Sequence, residues 1–149
     1  MIEQLIFVVA AMAVALVVAL VLKRRQSDAP TQAGFEIPIQ VDRSDFENPH
    51  APWLVAVFTS ATCHTCADVA KKAEVLSSSE VFVQRIDYTV NPALHKRYRI
   101  DAVPLLVIAD IDGVVHKGFI GPVKAQDLWA AMAECRDPGS TPESCASHQ

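Results

Sequence analysis

The stretch WLVAVFTSATCHTCADVAKKAEVL, residues 53–76, joins an apolar run, two cysteines and an amphipathic segment. Trp53 to Phe58 is a continuous apolar run of strand length, which predicts a strand buried on both faces. Val81 to Asp87 predicts the next strand, and the order strand, helix, strand predicts a parallel pair. The helix between them is predicted because apolar residues recur at helical spacing, namely Cys66, Val69, Ala70, Ala73 and Leu76.

The flanking residues predict further strands and helices on both sides of this unit. Upstream, residues 36–41 alternate in polarity and predict a short edge strand containing Pro38, and residues 42–49 predict a helical turn. The pattern as a whole predicts an α/β domain over residues 36–135, with a mixed sheet flanked by helices. Downstream, the predicted elements are a helix at Pro92–Tyr98 capped by Asn91, a strand at 103–109, a tight turn at Asp112-Gly113, a strand at 114–121 and a helix at Lys124–Glu134.

A long apolar segment precedes this domain. Leu5 to Leu22 contains 18 consecutive apolar residues without Gly or Pro. At ~1.5 Å of rise per residue, a helix of that length spans roughly 27 Å, close to the thickness of a hydrocarbon core. A buried core helix would keep a polar face, and a signal peptide would begin with basic residues, whereas Glu3 is found here. The sequence therefore predicts a transmembrane anchor at residues 1–22 and a flexible linker at residues 23–35.

The charges that follow the predicted span indicate its orientation. Lys23, Arg24 and Arg25 follow it directly, and basic flanks of this kind tend to stay in the cytoplasm. We therefore expect a single-pass membrane protein with a cytoplasmic domain, with an extracytoplasmic domain as the alternative. The rest of the chain is acidic and has no basic cluster interleaved with aromatic residues, so nucleic acid is not an expected partner.

Cys63 and Cys66 lie where the predicted strand is followed by the predicted helix. A Cys63 thiolate at a helix N-terminus would face unpaired backbone N–H groups and the positive end of the helix dipole. Cys66 would lie one turn further on, on the same side of the helix and within bonding reach. These positions favour thiol–disulfide exchange, in which Cys63 attacks a substrate disulfide and Cys66 resolves the mixed disulfide.

Other uses of a cysteine pair are less compatible with the sequence. A zinc site usually needs four ligands, and a c-type haem site needs a histidine where Ala67 stands. A purely structural disulfide would close a loop too short to stabilise the fold appreciably. Binding of a soft metal ion such as Cu(I) or Zn(II) by the pair stays open as the alternative, although no metal site is predicted.

Three segments resemble the thioredoxin family, in order and at matching separations. The features that carry the resemblance are the CxxC pair between strand and helix, Val103-Pro104 before the hairpin, and Gly118 and Gly121 before the last helix. The resemblance implies the thioredoxin fold, with a four- or five-stranded sheet. The matching segments are WLVAVFTSATCHTCADVAKKAEVL, IDYTVNPALHKRYRIDAVPLLVIADIDGVV and KGFIGPVKAQDLWAAM.

The resemblance also implies a function. Cys63 and Cys66 would be the catalytic pair of a membrane-tethered thiol–disulfide oxidoreductase that exchanges disulfides with protein partners and with an electron donor or acceptor. Pro104 would follow a cis peptide bond and form a substrate shelf with Val103. No cofactor is expected, because the electrons reside in the cysteine pair. The alternative is a membrane-anchored binding module of the same fold that presents the pair to a metal ion or partner without redox turnover.

The sequence departs from the thioredoxin pattern at several positions. Val57 stands where the family has a buried acid, the position of its basic neighbour falls near Arg85, and Lys71 replaces a mid-helix proline. The residues between the two cysteines are His64 and Thr65, which we expect to modulate the site. A protonated His64 would favour the thiolate of the first cysteine by Coulomb attraction.

The C-terminal tail, residues 136–149, contains one further cysteine. Cys135 and Cys145 bracket a loop with Pro and Gly, which makes them a candidate second disulfide, and two reduced thiols are the alternative. A stable bond would fit an extracytoplasmic domain better than a cytoplasmic one. The remaining histidines show no spacing that would form a ligand cluster, and we expect all of them at the surface: His50, His95, His116 and His148.

Overall fold

The computed structural model describes residues 35–139. Four strands form one mixed sheet in the order β2-β1-β3-β4, in which β1 and β2 are parallel and the other two pairs are antiparallel. The predicted parallel pair and the mixed α/β architecture are thereby confirmed. The elements in chain order are a 3-10 turn (Arg43–Asp45), β1 (Trp53–Thr59), α1 (His64–Glu74), β2 (Val81–Asp87), α2 (Pro92–Arg97), β3 (Leu105–Ala109), β4 (Val115–Ile120) and α3 (Ala125–Arg136).

The strand predicted at residues 36–41 is wrong. Within that segment the structure has one isolated bridge, between Gln40 and Val114 beside the β3–β4 turn. The amide of Val41 donates to the carbonyl of Gly113 at 2.8 Å and the amide of Val115 donates to that of Ile39 at 3.0 Å, and the pairing ends there. Toward the N-terminus, Ile37 packs instead against the apolar cluster that α2 covers. The sheet of the described residues therefore has four strands rather than five.

Apolar side chains cover both faces of the sheet, because successive residues of a strand point to opposite sides. Helices α1 and α3 cover one face, where the buried residues of the first cluster are Val55, Val57, Val69, Ala70, Ala73, Val81, Leu106, Ile108, Val123, Leu128 and Met132. Helix α2 and the 3-10 turn cover the other face, where the buried residues of the second cluster are Val41, Phe46, Leu54, Ala56, Phe58, Ile86, Leu94, Leu105, Val107 and Ala109. Burial on both faces explains why β1 and β3 are continuous apolar runs.

The 3-10 turn is attached to the sheet by a buried arginine. Arg43 is only 6% exposed, although it is charged. Its guanidinium donates to the carbonyl of Asp110 at 2.6 Å, to that of Asn48 at 3.1 Å and to that of Ala51 at 2.9 Å. One side chain therefore satisfies three carbonyl oxygens from two loops that are far apart in the chain.

Tyr98 makes a second connection between α2 and this N-terminal segment. Its hydroxyl donates to the carboxylate of Asp45 and accepts from the amide of Asp42 at 2.9 Å. Burial and the hydrogen bond to Asp45 raise the pKa of Tyr98 to about 12. The phenol is thus held in its neutral, donating form throughout the physiological pH range.

Four loops emerge at one end of the sheet. Thr59 at the end of β1 is opposite Asp87 at the end of β2, and Leu105 at the start of β3 is opposite both Phe58 and Ile120. We call this the cysteine end of the sheet, because the loop after β1 leads to Cys63 there. The segments that emerge at the cysteine end are 60–63, 88–91, 99–104 and 121–124.

The predicted anchor at residues 1–22 and linker at residues 23–35 lie outside the described residues, apart from residue 35. Within residues 35–139, no helix combines the length and the apolar character that crossing a membrane requires.

Candidate active site

Cys63 and Cys66 form a disulfide at the cysteine end of the sheet. Their Cα atoms are 5.4 Å apart, and the structure thus represents the oxidised form of the pair. Cys63 is partly exposed, whereas Cys66 is only 1% exposed. The two sulfurs therefore differ in access, and a large partner can reach only the first of them.

Cys63 is the N-cap residue of α1. Its backbone is extended, with φ −94° and ψ 105°, and its Sγ accepts the amide N–H of Cys66 at 3.2 Å. Before the helix, the amide of Cys63 donates to the carbonyl of Ser60 at 3.2 Å, which turns the chain out of β1. The first sulfur therefore lies against an otherwise unpaired N–H at the positive end of the helix dipole.

His64 and Thr65 are the first two residues of α1, and both side chains are exposed. Their positions leave them accessible to any partner that approaches Cys63. The predicted modulation by these two residues stays a prediction.

The Val103-Pro104 peptide bond is cis, as the resemblance implied. It lies at the cysteine end, immediately before β3, and the carbonyl of Pro104 accepts the amide of Gly121 at 2.8 Å. Pro104 is buried and Val103 is partly buried against the second cluster. The fold therefore brings this segment to the same end of the sheet as the cysteine pair, while its use as a substrate shelf stays a prediction.

The position of the family's buried acid is entirely apolar in this protein. Val57 is fully buried on the face that α1 covers, and Arg85 is its register partner on β2. Arg85 instead donates from Nε to the hydroxyl of Thr59 at 3.2 Å and lies 3.5 Å from the carboxylate of Asp87. Val57 offers no titratable group beneath the cysteines.

Asp87 has a structural role at the end of β2. The hydroxyl and amide of Thr89 donate to its carboxylate at 2.6 Å and 2.9 Å, and they hold the pKa of Asp87 below its usual range. The other carboxylate oxygen lies 3.3 Å from the hydroxyl of Thr59. Asp87 thereby fixes the turn that begins the loop at 88–91.

Cys135 lies away from the cysteine pair. It is the eleventh residue of α3, so at ~1.5 Å of rise per residue it is roughly 15 Å along the helix from Ala125. It is a partly buried thiol that packs against the first cluster, and burial raises its pKa. Cys145 lies outside the described residues, so the pairing of Cys135 with it stays a prediction.

His95 corrects the expectation that the histidines lie at the surface. It is only 3% exposed, and the rings of Phe58 and Tyr88 contact it edge to face at 5.2 Å and 5.3 Å. Helix α2 has six residues, too few for sequence periodicity to show which of its faces is buried. Among residues 35–139, no group of three or more His, Cys, Asp or Glu side chains could hold a metal ion.

Several solved structures resemble this chain at low sequence identity. A thioredoxin mutant from Halobacterium salinarum is 24% identical, with a TM-score of 0.50 over 56% of this chain and 74% of its own. Deadhead, a germline-specific thioredoxin of Drosophila melanogaster, is 22% identical, with a TM-score of 0.52 over 61% and 88%. Mitochondrial thioredoxin 3 from Saccharomyces cerevisiae is 20% identical, with a TM-score of 0.50 over 61% and 88%.

These likenesses, which cover 56–61% of the chain, show a thioredoxin fold, here with a four-stranded mixed sheet. The fold places a CxxC pair at the start of its first helix, as a disulfide. No family model matches the sequence, and no curated protein matches it either.

Proposed function

We propose that this protein is a thiol–disulfide oxidoreductase that exchanges disulfides with protein partners through Cys63 and Cys66. The observation that carries the proposal is the asymmetry of the pair. Cys63 caps α1 and is partly exposed, whereas Cys66 is bonded to it and shielded from solvent. That arrangement gives one attacking sulfur and one resolving sulfur.

The first step uses the reduced pair. The Cys63 thiolate attacks one sulfur of a substrate disulfide, a mixed disulfide forms, and the other substrate sulfur leaves as a thiolate that takes up a proton. The amide of Cys66, which already donates to Cys63 Sγ at 3.2 Å in the disulfide, favours the thiolate before this attack. The exposed side of Cys63 is where the substrate would approach.

The second step closes the cycle on this protein. Cys66 loses its proton and attacks Cys63 Sγ, so the disulfide seen in the structure forms and the second substrate thiolate is released. Two electrons have then passed from the cysteine pair to the substrate. A separate dithiol donor must reduce the pair again, and with an oxidising partner the same steps run in reverse.

Reduction of a model protein disulfide such as that of insulin tests this function. Full-length protein with a dithiol donor is expected to reduce insulin at an undiminished rate when a strong metal chelator is present, because no metal takes part in exchange. If the protein has no turnover but binds Cu(I) or Zn(II) through the two cysteines, the proposal is wrong and the fold serves as a metal-presenting module.

We also propose that His64 increases the thiolate fraction of Cys63. Its ring is exposed next to the attacking sulfur, and a protonated imidazole there would attract the thiolate. His64→Ala is expected to move the midpoint of Cys63 alkylation to higher pH by about half a unit. His50→Ala is the matched control, since it removes an exposed histidine that precedes β1, at the end of the sheet away from the cysteines. Superimposable wild-type and His64→Ala curves would contradict this role.

The N-terminal span supports a further proposal, that the domain is tethered to a membrane with its redox site in the cytoplasm. The support is the apolar run at residues 5–22 and the basic residues Lys23, Arg24 and Arg25 that follow it. A membrane-impermeant thiol reagent applied to intact cells is expected to leave Cys63 unmodified until the membrane is permeabilised. Modification of Cys63 from outside would place the domain on the opposite side.

A further inference from the structure

A cavity of about 780 Å³ opens beside the cysteine end of the sheet. This volume lies within the range of about 300–1,000 Å³ that is typical of ligand sites. Its walls come from the loop after β2, from α2 and from the segment before β3, and they include Tyr88, His95, Lys96, Arg99 and Asp101. None of these residues takes part in the exchange chemistry described above.

Arg99 has an unusual backbone for its residue type. Its φ is +52°, and it follows the end of α2, where the left-handed conformation is usually adopted by glycine. The end of α2 accounts for this backbone, because the amide of Ile100 donates to the carbonyl of His95 at 2.8 Å and the amide of Arg99 donates to that of Lys96 at 3.2 Å. Within residues 35–139, no ion pair or hydrogen bond engages the Arg99 guanidinium. The guanidinium is therefore available to a ligand in the cavity that Arg99 lines.

The charge around the cavity is positive overall. Lys96 and Arg99 are both exposed, and no salt bridge pairs either of them within the described part of the chain. Asp101 is the one carboxylate among the lining residues. Two cations against one anion leave an excess positive charge, which favours an anionic group on the ligand.

His95 supplies a second, independent sign of a ligand. Its Nδ1 lies 3.3 Å from the carbonyl of Asn91, which can only accept, so Nδ1 carries the proton. Nε2 is then an acceptor, and it is buried without a hydrogen-bond partner among the described residues. His95 lines the cavity, and a ligand N–H or O–H that displaced the atoms covering its Nε2 would satisfy this nitrogen.

The cavity lies at the same end of the sheet as the redox site, because its loop residues come from segments that emerge there. The amide of Tyr88 donates to the carbonyl of Thr59 at 2.9 Å, four residues before Cys63. On the other wall, Asp101 precedes Val103 by two residues. A polypeptide that presents a disulfide to Cys63 therefore has the cavity beside it.

We propose that this cavity binds an acidic side chain of the polypeptide whose disulfide is exchanged at Cys63. The carboxylate lies against Arg99 and Lys96, and a backbone N–H of the same segment donates to His95 Nε2. A polypeptide is the occupant because it carries the carboxylate and the N–H together and extends from the cavity to the cysteine pair. The proposal rests on the proposed redox function for its substrate, but the binding step does not require electron transfer.

Two arms test it with full-length protein. In the binding arm, affinity is measured for two fluorescent cysteine-free peptides that differ at one residue, which is Glu in one and Gln in the other. In the reduction arm, kcat/KM is measured for the same two peptides with a disulfide added. Wild type is expected to prefer the Glu peptide in both arms by roughly fivefold, since exposed ion pairs contribute modestly. The preference should shrink as salt rises.

Arg99→Gly is the decisive variant, because glycine adopts this backbone without strain and the fold is retained. Its preference for the Glu peptide is expected to fall toward one while its unfolding midpoint stays at or above that of wild type. Arg99→Lys should retain most of the preference, and Lys117→Gln, which removes an exposed charge on β4, should leave it at the wild-type value.

Three outcomes would overturn the proposal. One is equal binding of the two peptides by wild type. Another is a Glu preference that survives in Arg99→Gly. The third is a free dicarboxylate such as succinate binding as tightly as the Glu peptide, which would make the cavity a site for a small carboxylate. If the redox function fails instead, neither disulfide peptide is reduced, but the preference in the binding arm persists.

Discussion

Cys63→Ser and Cys66→Ser are each expected to lower the rate of disulfide reduction at least about 1,000-fold, because each removes a sulfur that the cycle cannot replace. The two variants should nevertheless differ in what they accumulate. In Cys66→Ser the partly exposed Cys63 still attacks, and the mixed disulfide persists because nothing resolves it. In Cys63→Ser the remaining sulfur is only 1% exposed and cannot reach the substrate.

Non-reducing electrophoresis after acid quenching measures this difference. A covalent complex with a protein substrate is expected for Cys66→Ser and not for Cys63→Ser, and in cells the trapped protein identifies the client. Cys135→Ser is the matched control, since it removes a thiol remote from the pair and should keep the wild-type rate. Adducts formed equally by both variants would contradict the assignment of attacking and resolving sulfurs.

Arg43→Met is expected to lower the free energy of unfolding by about 3 kcal/mol, the second large effect. Methionine fills much of the space of the arginine stem, but it cannot donate to the three carbonyls of Asp110, Asn48 and Ala51. The carbonyl of Ala51 would then be left buried without its donor, and the other two, which are partly buried, would lose theirs. The free energy of unfolding of Arg43→Lys should lie between those of wild type and Arg43→Met, because an ammonium group keeps the charge but cannot match the geometry of a guanidinium.

Urea unfolding followed by circular dichroism measures this change. Arg97→Met is the matched control, because the Arg97 side chain is 53% exposed and its ion pair with Asp42 is on the surface, while its other partner, Asp45, keeps the hydrogen bond from Tyr98. Its loss should cost less than about 1 kcal/mol. If Arg43→Met were no less stable than Arg97→Met, the buried arginine would not be what holds the 3-10 turn to the sheet.

The sequence predicted the central strands of the domain more accurately than the segment before them or the burial of individual side chains. β1 and β2 were predicted within a residue at each end, because a strand buried on both faces is a continuous apolar run that needs no partner to be recognised. The strand at residues 36–41 failed because alternation of polarity does not show whether a neighbouring strand continues beside it. His95 was placed at the surface for a similar reason, since a helix of six residues has no periodicity to separate its faces.

For the candidate site too, some features follow from the local sequence and others only from the tertiary structure. The order strand, cysteine pair, helix is local, so the sequence alone determined that Cys63 would cap α1 and that Cys66 would lie one turn inside. The three carbonyls around Arg43, the burial of His95 and the cavity beside Arg99 were decided only by the tertiary structure. Each of these features depends on contacts between segments that are distant in the chain and come together only when both faces of the sheet are covered. No local sequence pattern predicts contacts of this kind.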